Sequence, residues 1–164
     1  MADPVRTSSM LMTPEEFLTY PLEDVKAELV RGELRVTPPP GGPHGRATAN
    51  LAFALSVHVN ARRLGFVFGD GVGFELVQLP RTVRVPSPSE SASEIQEKLD
   101  DYRVSGTPLV WVVDPVKRSV AVYASSAPTQ WLHESDALHG GDVIPGFSCR
   151  VSDVFEGIAR DLVS

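Results

Sequence analysis

Only one cysteine, Cys149, stands among the 164 residues, so no disulfide can form within the chain. That fits a reducing compartment. No histidine-bearing motif adjoins Cys149, which therefore reads as a small buried apolar residue rather than a nucleophile. Long apolar runs are missing too. No stretch approaches the ~18 apolar residues of a membrane span, and Met1 to Met12 has no apolar signal core. The expectation is a cytoplasmic protein with no membrane partner. Basic residues are in the minority, 15 Lys and Arg against 21 Asp and Glu, for a net charge of −6. Such a balance gives no general pull toward phosphate backbones. The four histidines, His44, His58, His133 and His139, never pair at metal-ligand spacing, so zinc is not expected. A G-x-S-x-G elbow, a Walker loop and a dinucleotide fingerprint in strand-to-helix context are all absent.

What is present is an ordinary globular composition, 42% hydrophobic and 22% charged. Its length suits a single domain over residues 13–164, after a loose segment of residues 1–12. Thr13-Pro14-Glu15-Glu16 is a helix start with a capping box and a proline in the first turn, and Pro21 keeps that helix short. Leu29-Val30, Arg31-Gly32 and Leu34 to Val36 predict a hairpin with a two-residue turn. Thr37 to Pro43 must be loop. Ala47, Leu51, Leu55 and Val59 recur every four residues, the buried stripe of a long helix from about His44 to Leu64, ended by Gly65. Phe66 to Gln78 reads as strand, glycine-rich turn and strand, and Thr82 to Val85 as a short strand.

Downstream, Ser91-Ala92-Ser93-Glu94 predicts a capped helix with Ile95, Leu99 and Tyr102 inward. Pro108 to Pro115 has the near-continuous apolar character of a strand buried on both faces. It is followed by a partner strand at Val120 to Tyr123 and an edge strand at Gln130 to Glu134. Asp136 to Asp142 turns through Gly140-Gly141, and Val151 to Glu156 opens a last short helix with Ser152 as cap. The order of elements predicts an α+β, or mixed α/β, fold with a central mixed sheet flanked by helices.

Two residues stand out chemically. Lys98 lies roughly 65° from the centre of its helix's apolar stripe, at about 100° per residue. Its stem can cover the core while its ammonium reaches a cleft. On spacing alone, a surface lysine paired with Glu94 is the simpler reading. Glu28 alternates with Val30 and so shares its face. Turned inward it needs a partner, a metal or a raised pKa; turned outward it is a solvated strand residue.

Several segments resemble the Uma2 family in the right order along nearly the whole chain. They are Met12 to Leu18, Ala27 to Leu34, Pro43-His44-Gly45, Ser87-Pro88-Ser89, Glu97 to Tyr102, Leu109 to Pro115, Gly141 to Phe147, and Val154-Phe155. The resemblance implies a restriction-endonuclease-like core of the PD-(D/E)XK type, cutting DNA with Mg²⁺ or Mn²⁺. It implies a site of four residues: a glutamate in the first hairpin, an aspartate after a Pro-Asp strand, a glutamate on the next strand and a lysine on the next helix. Glu28 matches the first, as metal ligand, and Lys98 the last, as catalytic lysine. Relatives have the form Pro-Asp, a loop and Pro-Asp-Leu-x-x-Glu-Val-Leu before Ser-Pro-Ser. Here Val83-Arg84-Val85-Pro86 runs straight into Ser87-Pro88-Ser89. One core strand and two carboxylates are therefore expected to be missing. Glu33, Asp70 and Glu75 are the only substitutes in view. Two functions remain open, a metal-dependent DNA endonuclease and a catalytically silent remnant that binds a partner or itself. A homodimer through an exposed sheet edge is the expected partner arrangement.

Overall fold

The computed structural model describes residues 11–21, 26–37, 41–68, 74–78, 81–84, 92–124 and 127–159. In chain order its elements are α1 (Pro14–Thr19), β1 (Lys26–Val30), β2 (Glu33–Thr37), α2 (Gly42–Arg62), β3 (Phe74–Gln78), β4 (Arg81–Arg84) and α3 (Ala92–Val104). β5 (Leu109–Asp114), β6 (Ser119–Ala124), β7 (Ala127–His133), β8 (Ala137–His139), β9 (Ser148–Arg150) and α4 (Val151–Val154) follow. They fall into two compact units. One comprises Met1–Pro39 with Gly73–Val85, the other Pro40–Val72 with Pro86–Ser164.

The first unit is a four-stranded antiparallel sheet in the order β2-β1-β4-β3, with α1. The capping box closes as expected. Glu16 Oε2 accepts from the Thr13 backbone N–H at 2.7 Å, and Thr13 Oγ1 accepts from the Glu16 N–H at 3.2 Å. β1 and β2 form the predicted hairpin, Val30 opposite Glu33, and both turn residues are left-handed, Arg31 at φ 52° and Gly32 at 87°. Two positive φ values in a row match the strand twist of a two-residue hairpin. The Met12 N–H donates to the Gly32 carbonyl at 2.7 Å, tying the entry of α1 to this turn. Phe17, Ala27 and Leu29 make the unit's buried core, with Met12 and Leu34 against it.

In the second unit, the meander β5-β6-β7 and the pair β8-β9 are again antiparallel. The α+β class holds. Among the described residues the strands fall into three antiparallel sheets, where one central mixed sheet was expected. The apolar run at Leu109–Asp114 is an edge strand, half-buried at every residue. Its neighbour β6 holds the fully buried positions Ser119, Val120 and Ala121. The Asp114 carboxylate accepts from the Val116 and Lys117 N–H groups at 3.0 and 2.9 Å, an Asx turn that starts the β5–β6 connection. Ala47, Val120, Leu138, Val151, Val154, Phe155 and Ile158 form the core, with Leu51 and Trp111 packed on it.

Three local expectations are corrected. α2 ends at Arg63, itself left-handed at φ 54°, ahead of Gly65. Residues 64–68 form no strand, whereas β3 and β4 lie where strands were expected. Ser152 lies inside α4, whose cap position is Arg150. The Gly140-Gly141 turn is confirmed and sits between β8 and β9. A Cβ on Gly140 would fall 2.5 Å from the Ile144 carbonyl oxygen, so the backbone approaches too closely for a side chain. Ser91, the expected cap of α3, and Asp70 lie outside the described residues.

Candidate active-site residues

Glu28 sits mid-way along β1, a strand flanked on both sides by β2 and β4. That position removes it from water: Glu28 is 4% exposed and Val30 1%. The carboxylate therefore occupies a buried face, as an inward reading of the alternation requires, while Ala27 and Leu29 on the other face pack with Phe17. Across the sheet Glu28 is in register with Arg35. Burying a carboxylate is costly unless its charge is compensated, so this placement marks Glu28 as more than a solvated strand residue.

Lys98 belongs to the second unit, on α3, and is 5% exposed. The surface-lysine reading is overturned. Leu99 is buried beside it at 4%, Ile95 and Tyr102 are half-buried, and Glu94 is half-buried as well. Asp101, which the sequence did not single out, is also buried, at 9%. At about 100° per residue, the buried arc of α3 runs roughly 160° from Leu99 through Tyr102 and Lys98 to Asp101. The apolar stripe covers only its first part. The rest is made by charged side chains, so periodicity in hydrophobicity stopped short of it.

The three candidate substitute carboxylates fare differently. Glu33 is exposed. Glu75 pairs with Val83, which in turn pairs with Leu29, so it stands in the row next to that of Glu28. Among the described residues, no three His, Cys, Asp or Glu side chains gather as a metal would require. A divalent cation such as Mg²⁺ asks for one or two carboxylates besides its waters and a substrate phosphate. With Glu28 as the one buried carboxylate described in its unit, the described donors do not make a fitting set.

Two histidines make side-chain contacts along α2. His58 Nε2 faces the Pro145 carbonyl at 3.0 Å, while Arg62 Nη1 lies 3.1 Å from His58 Nδ1. An arginine only donates, so Nδ1 accepts and Nε2 carries the proton. The ring stands edge-on to Phe147, with centroids 5.4 Å apart. His44 Nε2 lies 3.2 Å from Thr48 Oγ1. Cys149 is half-buried, and burial first, then the nearby Asp153 charge, pushes its thiol pKa up. That agrees with an inert thiol.

The same architecture occurs in a solved structure described as a "putative nuclease belonging to DUF820", from Anabaena variabilis. The likeness has a TM-score of 0.67 at 16% sequence identity, and covers 86% of this chain and 96% of that one. The likeness shows a shared fold. The family model of Uma2, described as "putative restriction endonuclease", matches residues 14–86 and 80–152, and the chain belongs to this family. No curated protein matches it.

Proposed function

We propose that this chain is a Uma2-type, divalent-metal-dependent DNA endonuclease whose hydrolytic site is impaired. Glu28 is the remnant metal ligand and Lys98 the remnant catalytic lysine. DNA is the partner of the active form, in the cytoplasm, and Mg²⁺ or Mn²⁺ its cofactor. The impaired chain acts as a binding or self-association module.

One observation carries the reading: β4 ends at Arg84 and α3 begins at Ala92, leaving residues 85–91 to join them. At no more than ~3.6 Å per residue, that segment has no room for a loop, a further strand and a return. The family match supports the same point, for its two segments meet at residues 80–86. Burial of Glu28 in one unit and of Lys98 in the other supports a role for each over chance surface positions, because ionised side chains are rarely buried without a role or a partner.

In an intact site, clustered carboxylates would hold a cation that acidifies a bound water and steadies phosphate charge. Among the described residues no such cluster is supplied. What they supply is a buried acid on a central strand and a buried ammonium on a helix. Calorimetric titration with Mg²⁺ and Mn²⁺ tests the reading. The expected result is no saturable heat below millimolar concentrations. A one-site isotherm abolished by Glu28→Ala would refute it.

A further inference from the structure

α2 is apolar on more than one side. From Ala47 to Ala61 it contains no Asp, Glu, Lys or Arg, yet its fully buried residues are Ala47 and Val59 alone. A helix with an apolar ridge on a second side has more than one face to bury. Here the ridge Ala49, Phe53, Val57 and Ala61, spaced every four residues, is exposed, Phe53 by 72% and Val57 by 57%. Past the helix end, Leu64 and Phe66 continue at 45% and 88%. Taking a whole phenylalanine as on the order of 200 Å², these four large side chains leave roughly 500 Å² of apolar surface in water. Monomers rarely show patches beyond a few hundred Å². A standard interface takes about 800 Å² from each partner, so more than half of one is already present.

We propose that a second copy of this chain covers this face, the two α2 helices packing antiparallel about a two-fold axis beside Leu55. The ridge reads small, large, large, small. Reversed, it reads the same, so Phe53 meets the partner's Val57, Ala49 meets the partner's Ala61, and each contact recurs by symmetry. Ridges of this spacing interdigitate at a crossing angle near −50°. Alongside runs an open groove of about 500 Å³ whose lining includes Val57, Ala61 and Phe147 together with Arg62, Arg150 and Asp153. The partner's Phe53, set against Val57, is placed to enter it. The ridge itself carries no charged side chain, so a copy of it buries none. The inference does not rest on loss of nuclease activity, and it replaces the sheet edge as the contact surface.

Sedimentation velocity of the full chain over a concentration series tests it, with circular dichroism and a melt as controls for folding. The wild type is expected to form a dimer. Phe53→Asp, a change at an exposed position, is expected to give a monomer with an unchanged spectrum. On a Cys149→Ser background, Ala49→Cys protein mixed with Ala61→Cys protein should cross-link through a short bismaleimide far more than either alone. A wild type that stays monomeric, a dimer that survives Phe53→Asp, or equal cross-linking of the unmixed proteins would overturn the proposal.

Discussion

Lys98 and Asp101 stand one turn apart on α3, and both are buried. Opposite charges at this spacing come within reach of one another, and removing one of two buried charges strands the other. Lys98→Met and Asp101→Asn should each destabilise the protein by about 2 kcal/mol or more, on the scale of a broken buried pair. The double variant should cost clearly less than the two singles together. Urea melts of the four proteins measure this coupling. Strict additivity would mean that the two charges are compensated independently.

Arg118 fastens the β5–β6 turn to the end of the chain. Its guanidinium meets Glu134 Oε1 at 2.6 Å, the Ile158 carbonyl at 3.2 Å and the Phe155 carbonyl at 3.4 Å, and lies 5.4 Å from the Phe155 ring centroid. Several acceptors answered by one planar group require arginine's fork, which lysine lacks. Arg118→Ala is expected to cost about 2 kcal/mol, and Arg118→Lys to recover little of it, as read from thermal melts. Full recovery with lysine would show that charge alone matters there.

Cys149 should alkylate slowly at neutral pH. Burial and the Asp153 charge both disfavour the thiolate, so the thiol pKa lies above its ordinary value. A raised pKa keeps the group protonated, and unreactive, until the pH is more alkaline than a free thiol requires. Iodoacetamide rates against pH should therefore rise late. Asp153→Asn removes the smaller of the two causes and should move the midpoint partway back. A midpoint at or below that of free cysteine would contradict the geometry.

Much of the local fold was legible because its signals are short-range. Thr13 and Glu16 cap α1, Arg31-Gly32 turns the first hairpin, and Ala47 and Val59 mark the inward side of α2. Misreadings came where tertiary context decides. Leu109–Asp114 looks like a central strand, but its residues are only half-buried at the edge of a three-stranded sheet. Arg63 accepts a left-handed backbone that Gly65 was expected to provide. Of the candidate site, the family resemblance pointed to Glu28 while strand periodicity left its face open, and its burial decided the face. Asp101 was invisible because the inward arc of α3 is completed by charged residues, which carry no hydrophobic periodicity.

The proposed loss of catalytic capacity is tested most directly by nicking of supercoiled plasmid DNA with Mg²⁺ and with Mn²⁺, beside Glu28→Ala and Lys98→Ala. With residues 85–91 alone between β4 and α3, the wild type is expected to nick no faster than either variant. Metal-dependent nicking by the wild type that vanishes in Glu28→Ala or Lys98→Ala would show a working nuclease and contradict the account.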